Sequence, residues 1–161
     1  MDTAYFELNF KPNVQLVSVV RRFVTEFYQR FLNDPDGTSR VALATHELLE
    51  NAVKYSRDGE TTIRIEVLQH ETPRRVRIQL RNRSALEHIA AIRHLVDGLN
   101  QASSATDFYQ HLIASKARDR TGSGLGLARI CAEAEMKIHY DVQGDMVVLE
   151  ATTAVGIGTE S

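Results

Sequence analysis

Two stretches of the chain carry side chains whose types and spacing could do chemistry. In His46-Glu47-Leu48-Leu49-Glu50-Asn51-Ala52-Val53-Lys54-Tyr55-Ser56 the polar residues are not scattered. At about 100° per helical residue, Glu47, Glu50, Asn51 and Lys54 fall on one stripe. Ala44, Leu48, Ala52 and Tyr55 form a second, apolar stripe suited to a core. A carboxylate can act as a base, an amide oxygen can hold a hard cation, and an ammonium can neutralise an anion. The other stretch is Thr121-Gly122-Ser123-Gly124-Leu125-Gly126-Leu127, three glycines at every second position ahead of a helical pattern. Unpaired N–H groups at such a helix start, with the helix dipole behind them, attract phosphate. It is not a P-loop, because no Gly-Lys-Ser/Thr follows, and it lacks the preceding strand of a dinucleotide fingerprint. Taken alone, the glycines also suit a plain hinge before a helix.

The elements that must position these residues follow from periodicity. Tyr5 to Phe10 alternates as a half-buried strand. Val14 to Phe31 is an amphipathic helix, and Asn33-Asp34-Pro35-Asp36-Gly37 is a turn by composition. Thr38 or Ser39 is the expected cap of a second helix running to about Tyr55. Thr62 to Val67 and Arg75 to Arg81 read as two strands joined at Gln69 to Pro73. On the second of these the even-numbered residues face the core, which places Asn82 at the end of that face.

Leu86 to about Arg120 holds helical patterns around Ile89 to Leu99 and Phe108 to Ala117, flanking the small, polar run from Gln101 to Thr106. It is expected to be a mobile, lid-like insert rather than core. A helix to about Glu135 and strands Lys137 to Val142 and Met146 to Thr152 complete the chain. The tail from Ala154 is expected to fray. The order β-α-α-β-β-(αα)-α-β-β predicts a single domain over residues 1–161, a two-layer α/β (α+β) sandwich with helices on one sheet face.

Bulk properties narrow the function classes. The chain has 161 residues, 43% hydrophobic and 25% charged, with a formal net charge of −2. That balance speaks against nucleic acid, which usually needs a basic domain. One cysteine, Cys131, rules out an internal disulfide framework and fits a reducing compartment. No signal-peptide layout and no apolar run of about 20 residues is present. A cytoplasmic protein without a membrane partner is expected.

The two stretches together are more specific than either alone. Glu47-x-x-x-Asn51-Ala52-x-Lys54-Tyr55-Ser56, followed about 70 residues later by Gly122-x-Gly124-Leu125-Gly126-Leu127, resembles the N box and second glycine box of the Bergerat-fold (GHKL) ATPases. The resemblance covers nearly the whole chain and is greatest to the anti-sigma-factor serine kinases and small SiaB-like kinases. It implies a mixed sheet with a helical lid, ATP and Mg2+ as cofactors, and an antagonist-type switch protein as substrate. A homodimer is compatible with it.

By this resemblance Glu47 is the catalytic base, Asn51 the magnesium ligand, and Lys54 a phosphate contact. Gly122, Ser123, Gly124, Leu125 and Gly126 would close over the phosphates, with Arg120 on the terminal phosphate. Phosphoryl transfer asks mainly for positioning and charge neutralisation, which suits such a set. The first glycine box departs from the family pattern: Asn82, Ser84 and Leu86 stand where Asp-x-Gly-x-Gly is expected. An asparagine oxygen in place of the carboxylate that accepts from adenine should weaken binding by about 1 kcal/mol, roughly five-fold.

The resulting expectation is a Ser/Thr protein kinase. The altered box leaves two alternatives: a non-catalytic domain that regulates a partner by binding, and a standalone histidine-kinase-type ATPase domain. Arg75, Arg77, Arg81 and Arg83 lie on one strand face. They suit a solvated face pairing with Glu66 better than an acidic docking site.

Overall fold

The computed structural model describes residues 3–57, 59–116 and 124–156. The elements are β1 (Ala4–Phe10), α1 (Val14–Leu32), α2 (Pro35–Tyr55), β2 (Thr61–Leu68), β3 (Arg75–Arg83), α3 (Leu86–Gln101), α4 (Ala105–Lys116), α5 (Leu125–Ala132), β4 (Lys137–Gln143) and β5 (Met146–Ala154). The five strands form one sheet in the order β1-β2-β3-β5-β4. Every pairing is antiparallel, which corrects the expected mixed sheet. The reason is topological. β3 and β4 both run antiparallel to β5, so they are parallel to each other, but the β4–β5 hairpin places β5 between them.

Alternation decides which face each strand buries. Ile63, Ile65 and Val67 of β2, Val76, Ile78 and Leu80 of β3, and Val147, Leu149 and Ala151 of β5 join one core. Val17, Val20, Val24 and Tyr28 of α1 and Val41, Ala44, Leu48 and Ala52 of α2 cover it. The opposite sheet face is polar, and Arg77 donates across strands to Glu66, which also accepts from Arg64. That is the solvated, cross-paired face expected for this arginine.

Local signals set the helix ends. Asn13 caps α1, its Oδ1 accepting from the Leu16 N–H at 2.8 Å. Asn33 ends α1 in the left-handed region at φ 50°. Asp34 caps α2, accepting from the Gly37 N–H, with Pro35 in the first turn. The turn expected at Asn33–Gly37 is therefore a helix-to-helix junction, and Thr38 and Ser39 lie inside α2.

Two further expectations change. The Leu86–Arg120 insert is not wholly outside the core, because Ile89, Ile92, Val96 and Leu99 of α3 are buried in it. Their i, i+3, i+7, i+10 spacing packs α3 against β4, with Asn100 donating to the Ile138 carbonyl. The chain is also held from Ala154 to Gly156, and residues 157–161 of the expected frayed tail lie outside the described residues. The Val155 N–H bonds the Arg74 carbonyl, and the Gly156 N–H bonds Asp34 Oδ2. Among the described residues no helix is long and apolar enough to cross a membrane.

Candidate functional site

The polar stripe of α2 and the start of α5 meet as the sequence anticipates. Glu47, Glu50, Asn51, Lys54 and Tyr55 line a small cavity of about 40 Å³ together with Gly124, Gly126 and Leu127. Gly124 adopts φ 96°, a conformation that favours glycine and turns the chain into α5. Gly126 is required by closeness instead. A Cβ there would lie 2.5 Å from Glu47 Oε2, so any larger residue must displace the carboxylate. The spacing Gly124-x-Gly126 thus has two separate causes. Arg120, Gly122 and Ser123 lie outside the described residues.

Glu47 is 8% exposed. Its Oε1 accepts from Arg129 Nη1 at 2.8 Å, and Arg129 Nε donates to the Tyr109 hydroxyl at 3.2 Å. These bonds, Tyr109 foremost and then Glu47, hold Arg129 above the ordinary guanidinium range. Among the described residues Asn51 has no protein hydrogen bond, so its amide is available inside the cavity. No three His, Cys, Asp or Glu side chains among these residues cluster to hold an ion. A magnesium ion held by the Asn51 oxygen would therefore take most ligands from phosphate and water, as magnesium commonly does.

A second, mainly apolar cavity of about 190 Å³ adjoins the first, sharing Asn51, Gly124 and Leu127. His88, Ala91, Ile92 and Leu95 of α3 and Leu112 of α4 complete its wall. His88 stacks on Tyr55 with ring centroids 3.7 Å apart, and burial lowers its pKa. Together the cavities fall short of the roughly 300 Å³ at which small-molecule pockets usually begin. Asn51, Lys54, Gly124 and Gly126 are of types that suit phosphate and magnesium, and the cavity they line is small.

Asn82 is where the expected site separates. It is buried at the end of the core face, as its register predicts, but does not line either cavity. It borders a different hollow with Lys11, Thr61 and Met146. Its Oδ1 accepts from Ser84 Oγ at 3.4 Å, while Nδ2 has no partner. Without the two glycines of the usual box, the chain passes from β3 straight into α3, which starts at the exposed Leu86.

Arg129, Tyr109 and His88 were not singled out from sequence. Arg129 had a signal, being the only charged residue of α5. Tyr109 and His88 had none, because only folding of the insert brings them here. Cys131, on the same helix, is half-buried, and its thiol is pushed up to about 11 by burial.

An antiparallel five-stranded sheet, covered on one face by helices and carrying an Asn-bearing helix against a glycine turn, defines a class of nucleotide-binding domain. The histidine kinase-like ATPase domain family model matches residues 10–150, and the chain belongs to that family. No curated protein sequence matches it. Among solved structures, a chain of the SiaB-SiaC complex from Pseudomonas aeruginosa shares the fold with a TM-score of 0.69 and 12% identity. The match covers 93% of this chain and 89% of that one.

Proposed function

We propose that this protein binds Mg-ATP and transfers the γ-phosphoryl group to a Ser or Thr hydroxyl of a partner protein. The observation that carries the proposal is the convergence of Glu47, the Asn51 amide, Lys54, Gly124 and Gly126 on one cavity, the amide having no side-chain partner among the described residues. Family membership supports ATP as the nucleotide. The likeness to a chain crystallised in a complex with another protein supports a protein partner.

In this reading Asn51 would hold a magnesium ion, whose charge would offset that of the phosphates, and Lys54 would add a second positive charge. Glu47 receives the proton of the acceptor hydroxyl. That oxygen bonds to the γ-phosphorus as the bond to the bridging oxygen breaks and ADP leaves. Calorimetry with ATP and magnesium should show binding that Asn51→Ala abolishes. Label from γ-labelled ATP should appear on an SiaC-like partner and disappear with Glu47→Ala. Label on a histidine of the protein itself would favour a histidine-kinase-type domain.

A regulatory domain that works by binding alone is the second reading. The limited cavity space and the placement of Asn82 on a different hollow from Asn51 favour it. No ATP binding at millimolar concentration would decide for it and against the kinase.

A further inference from the structure

Arg129 links three elements that the nucleotide site depends on. It sits on α5, binds Glu47 of α2 through Nη1, and donates through Nε to Tyr109 of α4. Glu133, at the C-cap of α5, lies 3.6 Å from the same Nε. The Arg129 side chain is 39% exposed and Glu47 only 9%, so the buried partner has the fewer alternatives. The two carboxylate oxygens have different surroundings. Oε1 is occupied by the guanidinium, and Oε2 lies over Gly126 without a protein hydrogen bond among the described residues.

We infer that Arg129 is a positioning residue that clamps Glu47 through Oε1, leaving Oε2 toward the Gly126 wall as the proton-accepting atom, with Tyr109 holding the clamp in register with α4. This inference rests on the proposed kinase reading. A carboxylate rotates about its terminal bond over a broad range unless something holds it. Two oxygens are chemically equivalent in water, and a fixed guanidinium makes them inequivalent. Misplacing a reacting group by about 1 Å can cost roughly 10²-fold in rate, so the clamp is expected to act on turnover rather than on nucleotide affinity. It would also transmit movement of α4 to the base, because Arg129 cannot keep both bonds if Tyr109 is displaced.

The test has two arms. In the first, arginine side-chain NMR without nucleotide follows the Arg129 Nε–H signal. Slow solvent exchange in the wild type, made faster by Tyr109→Phe and by Glu47→Gln, is expected. A signal unaffected by both substitutions overturns the clamp whatever the activity. In the second, transfer to the partner is measured for Arg129→Met, Arg129→Lys and Tyr109→Phe. Arg129→Met should lower kcat by about 10²-fold with the ATP KM within about two-fold. Arg129→Lys should restore part of that loss, and Tyr109→Phe should cause a smaller fall. Added to Glu47→Gln, Arg129→Met should have no further effect. A change confined to KM, an unchanged or higher kcat, or an equal loss on the Glu47→Gln background overturns the inference. Absence of transfer by the wild type, with the NMR pattern as expected, would instead reject the kinase reading and confine the clamp to a structural role, which also overturns the inference.

Discussion

Gly126 shows how closely the candidate site is packed at the residue scale. Adding one methyl group there sets it 2.5 Å from Glu47 Oε2, and the neighbour is a buried side chain already held by Arg129. Gly126→Ala should therefore push the carboxylate off Arg129, destabilise the fold by about 1–3 kcal/mol in urea unfolding and remove phosphoryl transfer. His88 carries a pH dependence. Burial lowers its pKa, so the folded protein favours the neutral ring and the unfolded chain binds the proton more readily. Its contribution is complete above the ordinary histidine value of about 6.5 and is lost as pH falls from there through the lowered value of the folded protein. Between pH 7.5 and 5.5, wild type should lose more stability than His88→Phe, and NMR should place the His88 midpoint below those of exposed histidines. These contacts were only partly legible beforehand. The Glu47–Asn51–Lys54 stripe follows from helical spacing within one segment. The Arg129–Glu47 and His88–Tyr55 contacts join residues more than 30 positions apart, which periodicity cannot relate.

At the element scale the insert is the main revision. α3 contributes Ile89, Ile92, Val96 and Leu99 to the core, so it is a wall of the domain rather than a flap. Ile92→Ala should cost about 2–5 kcal/mol, measured by chemical denaturation, where an exposed lid helix would lose far less. The amphipathic pattern of this helix was readable, but not whether its apolar side met the sheet or a partner. The α1–α2 junction makes the same point on a smaller scale. Asp34 caps α2 through Gly37 and also holds the segment after β5 through Gly156. These two backbone bonds lower its pKa, so the stability they confer is present above the ordinary aspartate value and is lost as pH falls through the depressed one. Asp34→Ala should lower stability by about 1 kcal/mol at pH 7, with the difference from wild type vanishing in acid. The Asn-Asp-Pro-Asp-Gly composition suggested a turn because the same residues end and begin helices.

For the whole molecule, ligand binding and stability are linked. If Mg-ATP binds only the folded chain, a hundred-fold excess over Kd should add about 2.7 kcal/mol. For a domain of this size that corresponds to a Tm rise of roughly 5–10 °C, absent in Asn51→Ala. Because the cavities are small, binding should also alter hydrogen exchange in α3 and α4 more than in the sheet. The pairing of Glu47 and Asn51 with a glycine turn was implied by resemblance to a known family; what the sequence by itself determined was local: the strand faces, the helical stripes, the order of elements and the glycine turn. Each depends on a short repeat period or on the conformational freedom of one residue type. Only the tertiary structure decided that β5 separates β3 from β4, that α3 enters the core, that Asn82 borders a different hollow from Asn51, and that Arg129 holds Glu47. Those features depend on which distant surfaces bury one another, and burial between distant segments leaves no fixed spacing along the chain.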